Sequence, residues 1–357
     1  MYPTIDYLLE ELSEAERANL KHMAFAIIRP DAIERGFEKE ILNDLENSGL
    51  FVIGFKYQFV DERQMEEVYR YTQHHMLENQ MRPLWWMTRE MYRVSPAILL
   101  LLAGKYPDEY EDSARYLESI KGSSNPALTQ PHHLRYKYQS MNVVLCTIHS
   151  SDDHLHSLRE SRIFFNREEI ARSLQHIPEL LNGRIPAPHS FLDQAVNRWH
   201  SKAKRTGAFF HILSILQLRI LANLLDSDLF GLPLDELNEL CQRMYQITLQ
   251  QLPYVEEAEQ IHPILDRELD LLLSASNYHS RKLDMLDSQF RRNCNDRELL
   301  IESLKTMVDY RNYEQADFIK FREQLRRNLV VMDDWEALVI ETSFVFHMIQ
   351  LNGYYIK

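Results

Sequence analysis

The sequence predicts two domains of different class, an α/β sandwich followed by an all-α helical bundle. In the first half, two apolar runs with the composition of β-strands (residues 22–29 and 50–57) flank residues 37–47, whose apolar side chains recur at helical spacing. Further strand-like runs cover residues 97–103 and 142–148. The second half instead carries leucine-rich patterns of helical period and contains little glycine.

The boundary between the two predicted domains lies where proline and glycine interrupt the chain. The segment NGRIPAP ends residues 174–188, which we expect to form a linker. The α/β domain is therefore expected at residues 22–173 and the helical domain at residues 189–357. Residues 1–21 form an N-terminal extension, of which residues 5–20 are expected to be one amphipathic helix.

The helical domain is predicted to be a bundle of roughly six to eight helices. Residues 208–225 are apolar nearly all round, which predicts a central helix, because a helix without a polar face is buried on every side. The other helical patterns cover residues 234–251, 264–274, 295–311 and 334–351.

Length, composition and charge limit the class of protein. A chain of 357 residues is long enough for two domains with separate cores, and 45% hydrophobic with 26% charged residues is typical of globular proteins. No apolar run approaches the ~20 residues that cross a bilayer. The N-terminus lacks the pattern of a signal peptide. A net charge of -13 argues against a general nucleic-acid binder.

Cysteine content indicates the compartment. Cys146, Cys241 and Cys294 are odd in number and widely spaced, so neither a disulfide framework nor a CxxC metal site is indicated. We therefore expect a reducing location, the cytoplasm. No membrane association is expected.

The segment HSSDDHLHSLRE, residues 149–160, places a histidine at the end of an apolar run and continues as an amphipathic helix. A histidine leaving a strand can act as a nucleophile or base if a second group fixes its tautomer, and Ser151 and Glu160 are the local candidates. Most such histidines are surface or structural residues. His149 therefore indicates catalysis only together with other segments of the first half.

Four segments in chain order resemble conserved blocks of nucleoside diphosphate kinases. FAIIRPDAIERG (25–36) is similar to F-x-x-I-K-P-D-x-x-x-R-G, and residues 82–104 are similar in spacing to R-P-F-F…G-P-V…E-G. GSSNPALTQPHHLR (122–135) resembles G-A-T-N-P-A-x-x-x-P-G-T-I-R. Residues 149–160 resemble H-G-S-D-S and its following glutamate. The resemblance covers residues 22–173 and leaves the second half without a counterpart.

The resemblance implies a ferredoxin-like βαββαβ sandwich that transfers a phosphoryl group through a phosphohistidine. His149 matches the nucleophile. Glu160 and Ser151 match the groups that orient its ring, so that the nitrogen facing the nucleotide keeps a free lone pair. Tyr69 matches the family's active-site tyrosine.

The resemblance also implies a nucleotide site. Arg135 matches an arginine that contacts nucleotide phosphates, a task that suits a planar guanidinium. Arg29 and Asn125 occupy further nucleotide-binding positions of the matched blocks. ATP or another nucleoside triphosphate with Mg²⁺ is the expected ligand, and the Mg²⁺ bridges phosphates with little direct protein ligation. We therefore assign no residue as a metal ligand.

The departures from the family pattern concentrate on phosphate, base and sugar. Arg29 replaces a lysine, and Glu118 replaces an arginine, although Arg115 lies one helical turn earlier and is expected to face the same pocket. Cys146 replaces the asparagine that holds the sugar, and Leu84 replaces the phenylalanine that stacks on the base. Trp85 and Trp86 are alternative base platforms or core residues.

The groups that serve the phosphohistidine persist, whereas those that hold base and sugar have changed. This favours a phosphoryl or nucleotidyl transferase that acts on a non-standard substrate. Ordinary exchange between nucleoside di- and triphosphates is one alternative. Another is a catalytically weak nucleotide-binding regulatory module whose helical domain binds a partner protein, and a third is metal-dependent oxidation in the bundle. The bundle is expected to provide a second substrate or partner and to limit the protein to a monomer or dimer.

Overall fold

The computed structural model of the chain describes residues 3–78, 85–184, 192, 196, 204–224, 232–283 and 288–352. Within these ranges, the structure describes only the backbone of residues 75–78, 276–283, 288–296, 348–350 and 352. The chain divides into two compact units, of which the first ends at Arg205 and the second begins at Thr206.

The first unit is built on a four-stranded antiparallel sheet. Its strands are β1 (Met23–Ile28), β2 (Leu50–Gln58), β3 (Ala97–Gly104) and β4 (Ile148–Ser150), in the order β2-β3-β1-β4. This is the strand order of a ferredoxin-like βαββαβ sandwich, so the predicted fold class is confirmed. The central strands β1 and β3 read as continuous apolar runs because both of their faces are buried.

Eleven described helices accompany the sheet. They are α1 (Ile5–Glu10), α2 (Glu14–Asn19), α3 (Pro30–Glu34), α4 (Glu38–Asn47), α5 (Glu62–Val68), α6 (Arg70–Glu78), α7 (Trp85–Val94), α8 (Ser113–Lys121), α9 (Leu134–Lys137), α10 (His154–Phe164) and α11 (Arg167–Leu181).

Helices cover both faces of the sheet. On one face, Ile41 and Leu45 of α4 and Leu117 of α8 share a fully buried cluster with alternate residues of β1 and β3. On the other face, Phe164 of α10 stacks on Phe25 of β1 with 5.8 Å between ring centroids. Helix α11 lies over β2 and β3 on that second face. The site described below is therefore held by a core on each side of the sheet.

The N-terminal extension differs from the single predicted helix. Helices α1 and α2 are separated at Ser13, whose hydroxyl oxygen accepts from the backbone N–H of Glu16. Oε2 of Glu16 accepts in return from the backbone N–H of Ser13, at 2.8 Å. This capping box starts a new helix within the amphipathic pattern.

The last strand is shorter than predicted. Of residues 142–148, which were expected to be a strand, only Ile148 belongs to β4. The side-chain oxygen of Asn142 accepts from the backbone N–H groups of Val144 and Leu145, at 3.0 and 2.9 Å, and holds them in a turn. Thr147 has a φ of 64°, which also breaks the extended backbone.

The linker predicted from residue 174 also begins later. Helix α11 continues to Leu181 because Leu174, Ile177 and Leu180 are buried. Pro178 lies inside this helix and has no N–H to offer the carbonyl of Leu174. The side-chain amide of Asn19 donates to that carbonyl at 3.2 Å, which satisfies the acceptor that the proline leaves free.

The described part of the second unit contains six α-helices and a 3₁₀ turn, which confirms the helical class. The helices are α12 (Phe209–Leu224), α13 (Leu234–Thr248), α14 (Tyr254–Leu283), α15 (Ser288–Val308), α16 (Phe318–Arg327) and α17 (Asp334–Asn352). Helix α12 packs against α13, α15 and α17, as expected for the apolar central helix. Helix α16 was not predicted. Among the described residues, no helix is both long and apolar enough to span a bilayer.

Candidate active site

His149 lies in the edge strand β4, directly opposite Ile27 of β1. Opposed residues of an antiparallel pair point to the same face. The imidazole therefore lies on the face of the sheet that α10 covers. Its side chain is 16% exposed, so it is held by the protein but remains reachable from outside.

Glu160 of α10 fixes one side of this ring. Nε2 of His149 lies 2.8 Å from Oε2 of Glu160, although the residues are 11 positions apart. The hydroxyl of Ser151 donates to the same oxygen at 2.7 Å. Glu160 and Ser151 are both buried, so neither contact competes with bulk water. The structure thus brings together the three residues that the sequence proposed as one group.

The contact with Glu160 selects a tautomer. An ionised carboxylate accepts only, so Nε2 of His149 carries the proton and Nδ1 keeps its lone pair. Within the described ranges, Nδ1 has no hydrogen-bond partner. The arrangement leaves one imidazole nitrogen available for attack on an electrophile.

Burial and the local charges favour the same ionisation states. Burial lowers the pKa of His149, and the opposing effect of Glu160 does not restore it. Burial would raise the pKa of Glu160, but His149, Arg159 and Ser151 outweigh burial and hold that pKa below its ordinary value. At neutral pH the pair is therefore a neutral imidazole beside an ionised carboxylate.

Tyr69 borders the imidazole from the segment between α5 and α6. Its ring centroid lies 5.2 Å from that of His149, with the rings inclined at 61°. The hydroxyl groups of Tyr69 and Tyr92 lie 3.1 Å apart. Burial raises the pKa of Tyr69, so the phenol stays neutral and can donate a hydrogen bond.

Arg29 is buried and turned toward the backbone that precedes β4. Its Nη1 donates to Sγ of Cys146 at 2.6 Å, and its Nη2 donates to the carbonyl of Val144. Its Cζ lies 6.0 Å from the centre of the Tyr92 ring, which connects it to the tyrosine pair beside His149. Arg29 therefore lies next to the site, but its guanidinium is engaged with the protein.

Arg135 is also buried, and its donors go to main-chain carbonyls. Nη2 donates to Ile148 at 2.7 Å, Nη1 to Gly122 at 2.9 Å and Nε to Cys146 at 3.2 Å. Its Nη2 lies 3.4 Å from Sγ of Cys146 as well. Arg29 and Arg135 thus form one buried cluster with Cys146, in the segment that precedes β4.

The other predicted binding residues that the structure describes, Arg115 and Asn125, have different partners. Arg115 pairs with Glu118 at 3.4 Å, and the side chains are 44% and 42% exposed, so this arginine offsets the charge of the glutamate. Oδ1 of Asn125 accepts from the backbone N–H of Ala127 at 2.9 Å and caps a 3₁₀ turn. Leu84 lies outside the described residues.

Two buried cations beside the site were not proposed from the sequence. Lys121 donates from Nζ to Oγ of Ser150 at 2.8 Å, and Arg159 donates from Nη2 to Oε1 of Glu160 at 2.9 Å. Burial, together with Arg135, lowers the pKa of Lys121 to about 8. Lys121 directly precedes Gly122, and Arg159 directly precedes Glu160, both of which match the family's blocks. This position beside a matched residue was the feature of the sequence that could have indicated them.

The helical unit holds a pair of adjacent histidines, of which His347 is buried. Nε2 of His262 lies 3.1 Å from Nε2 of His347, and Nδ1 of His347 lies 2.7 Å from the Tyr254 hydroxyl. Among the described residues, no group of three or more histidine, cysteine, aspartate or glutamate side chains could hold a metal ion.

Known proteins match the first unit. The family model described as nucleoside diphosphate kinase matches residues 22–170. A nucleoside diphosphate kinase from Pyrococcus horikoshii is 26% identical over 161 residues, which are 44% of this chain and 90% of that relative. A nucleoside diphosphate kinase from Rickettsia felis is 30% identical over 146 residues, which are 41% of this chain and 94% of that relative.

A solved structure described as an NDP kinase from Pyrobaculum aerophilum aligns with 18% sequence identity and a TM-score of 0.34. The alignment covers 42% of this chain and 98% of that one. The sequence matches extend over almost the whole length of both relatives. Through its first unit, the chain therefore belongs to the nucleoside diphosphate kinase family.

Proposed function

We propose that the protein transfers a phosphoryl group from a nucleoside triphosphate to a second substrate through a phosphohistidine at His149. The observation that carries this proposal is the contact of His149 Nε2 with Glu160, at 2.8 Å, which leaves Nδ1 free. Membership of the nucleoside diphosphate kinase family supports nucleotide phosphotransfer in general. The proposal adds to this the identity of the nucleophile and the class of the substrate.

The first half-reaction needs no proton transfer. The Nδ1 lone pair of His149 attacks the γ-phosphorus, a nitrogen–phosphorus bond forms, and the bond from phosphorus to the β,γ-bridging oxygen breaks. The electron pair leaves with the nucleoside diphosphate. The imidazole becomes positively charged, and Glu160 stabilises this charge through the Nε2–H group. In the second half-reaction, an oxygen of the acceptor attacks phosphorus and returns the electron pair to Nδ1.

Mg²⁺ enters this proposal as part of the substrate. The buried cations Arg29 and Lys121 act electrostatically on the imidazole, and cations suit phosphate oxygens and not a metal ion. A Mg²⁺ held by nucleotide phosphates and water fits such a site, because this ion retains much of its water shell. When bound with the nucleotide, such an ion would neutralise charge on the phosphates.

The substrate is proposed to differ from the ordinary nucleotide pair. Cys146 offers a thiol where the family holds the sugar with an amide, and this thiol already accepts from Arg29. A thiol is a poor partner for a sugar hydroxyl compared with an amide. We therefore expect selectivity to depend on groups other than the usual base and sugar contacts, and the helical unit to supply or select the acceptor.

Labelling with γ-labelled ATP and Mg²⁺ tests the nucleophile. The full chain should acquire an acid-labile, alkali-stable label that chases off with an acceptor. The variant His149→Ala should acquire none. His154→Ala is the matched control, because His154 lies on the next segment and contacts Asp112 instead of Glu160. Label retained in His149→Ala would contradict the proposal.

A regulatory nucleotide-binding module is the second candidate function. The observation that favours it is the engagement of Arg29 with Cys146 and Val144, which keeps this cation from a bound phosphate. This candidate predicts a saturable thermal shift with ATP, no labelling of the wild-type protein, and the same shift in His149→Ala. Turnover by the wild type would rule it out.

Partner, assembly and location remain predictions. A partner protein or second substrate is assigned to the helical unit, and a monomer or dimer is expected, which light scattering after size-exclusion chromatography would measure. The cytoplasmic location expected from the cysteine content also stays a prediction, which fractionation of the source cells would test.

A further inference from the structure

Arg159 is a buried cation with four hydrogen bonds on two structural elements. It is 5% exposed. Nη2 donates to Oε1 of Glu160 at 2.9 Å and to the carbonyl of Val68 at 3.3 Å. Nη1 donates to the carbonyl of Glu67 at 2.9 Å and to Oε1 of Glu67 at 3.3 Å. The guanidinium therefore joins α10 to the carboxyl end of α5.

The two oxygens of Glu160 have separate tasks. Oε2 accepts from His149 and Ser151, whereas Oε1 accepts from Arg159. Arg159 is the only cation within salt-bridge distance of Glu160, other than His149 itself, among the residues that the structure describes. A buried carboxylate without such a partner tends to take up a proton.

The same guanidinium fixes the segment that carries Tyr69. The carbonyls of Glu67 and Val68 immediately precede Tyr69, and both accept from Arg159. The Cζ atom of Arg159 also lies 4.7 Å from the centre of the Tyr71 ring, on the other side of Tyr69 in the sequence. The orientation of Glu160 and the position of Tyr69 are thus linked through one side chain.

We propose that Arg159 is a positioning residue that keeps Glu160 ionised, and thereby keeps His149 in the tautomer with a free Nδ1. This inference deepens the proposed function and rests on it for its catalytic meaning. The protonation state of Glu160 determines which imidazole nitrogen of His149 carries the proton. A neutral carboxyl group at Glu160 would donate to Nε2, the ring proton would move to Nδ1, and the nucleophilic lone pair would be lost.

The other charged or titratable groups around Glu160 do not replace Arg159. His149 faces it from β4 and is neutral when it acts as a nucleophile. Tyr69 faces it from the α5–α6 segment as a neutral phenol. Arg29, which follows β1, and Lys121 of α8 act on the opposite partner, His149. Glu67 of α5 shares Arg159 with Glu160 and also pairs with Arg70.

A carboxyl titration tests the inference without phosphotransfer. The full chain, labelled with ¹³C-glutamate, is titrated by NMR, and the Glu160 signal is identified by its loss in Glu160→Gln. In Arg159→Gln we expect the pKa of Glu160 to rise by about one to three units, the effect of losing an adjacent arginine. Arg159→Lys retains the charge and should restore most of the wild-type value.

Two further variants keep the test decisive. Glu67→Gln removes the competing carboxylate, so the pKa of Glu160 should fall below the wild-type value even if Arg159→Gln does not fold. Arg162→Gln is the matched control, because Arg162 lies one turn later on α10 and bonds the carbonyl of Phe165 instead. An unchanged pKa of Glu160 in Arg159→Gln, or in Glu67→Gln where the former does not fold, would overturn the inference.

The labelling reaction separates this inference from the proposed function. Where wild type is labelled at His149, the acidic limb of its pH–rate profile should move to higher pH in Arg159→Gln and not in Arg159→Lys. A labelled variant with an unmoved profile would refute the role of Arg159 in positioning. An unlabelled wild type would refute the proposed function, while the carboxyl titration would still decide the effect of Arg159 on Glu160.

Discussion

Sγ of Cys146 accepts a hydrogen bond from Nη1 of Arg29 at 2.6 Å, across 117 positions of sequence. Each residue is a departure from the family pattern, and the structure shows that the two departures meet. The guanidinium is planar and has several donors, so it can bond the thiol and the carbonyl of Val144 together. The ammonium group of a lysine at the same position would not offer two donors in one plane.

Replacing the thiol should release the arginine. In Cys146→Ala, Arg29 loses its side-chain acceptor and becomes available to nucleotide phosphates. Because a hydrogen bond to a charged group contributes about 1.5–3 kcal/mol, we expect the affinity for a non-hydrolysable ATP analogue with Mg²⁺ to rise by roughly tenfold or more. Isothermal titration calorimetry would measure the change.

The double variant Cys146→Ala/Arg29→Ala provides the control for this prediction. It should lose the gain in affinity, because the released guanidinium is absent. An equal dissociation constant in wild type and Cys146→Ala would mean that the Arg29–Cys146 contact does not limit nucleotide binding.

The carboxylate of Glu160 should matter more than the hydroxyl of Ser151. In Glu160→Gln, the residue keeps its shape but no longer offsets the positive charge that develops on His149. Loss of a charge-assisted hydrogen bond of about 1.5–3 kcal/mol predicts a labelling rate lower by roughly 10- to 150-fold. Ser151→Ala should have a smaller effect, since its hydroxyl contacts Glu160 and not the ring. Rapid-quench labelling would rank the two, and the reverse order would contradict the assignment.

Lys121 should impose an alkaline limit on the reaction. Its pKa is lowered to about 8, so its positive charge is present below this pH and is lost as the pH rises through it. We expect the rate of labelling at His149 to fall above about pH 8. Lys121→Arg should keep the rate level up to about pH 9, because a guanidinium stays protonated there. The same alkaline decline in this variant would assign the limit to another group.

The helical unit should lose stability as the pH rises, because Glu268 is buried. Burial raises the pKa of this carboxyl from 4.5 to about 8, and Nε2 of Gln217 donates to it at 3.0 Å. The unfolded chain therefore releases this proton first. The contribution of Glu268 to the free energy of unfolding is fully present below pH 4.5. It falls by about 1.4 kcal/mol per pH unit above this pH, until the carboxyl of the folded protein also ionises.

Glu268→Gln should remove this pH dependence, because an amide does not ionise. Its melting temperature relative to wild type should increase between pH 5 and pH 8, as followed by circular dichroism on the full chain. Glu259→Gln is the control, since Glu259 is exposed on the same helix. A constant difference between Glu268→Gln and wild type across this range would disprove the buried-carboxyl explanation.

The sequence predicted the parts of the fold that local patterns encode. The continuous apolar runs of β1 and β3, the helical period of α4 and the apolar composition of α12 all follow from which faces of each element are buried. In two places a side chain that bonds to the backbone ends an element that the pattern predicted to continue. Ser13 divides the N-terminal helix, and Asn142 turns the chain before β4.

The sequence by itself also determined that His149, Ser151 and Glu160 belong together, because a short strand–turn–helix segment joins them. Only the tertiary structure decided where the long cationic side chains point. Arg29 turns to Cys146 and Arg159 turns to Glu67, each through contacts about a hundred positions away. A long flexible side chain takes its direction from the acceptors that surround it in space, and spacing along the chain does not record those acceptors.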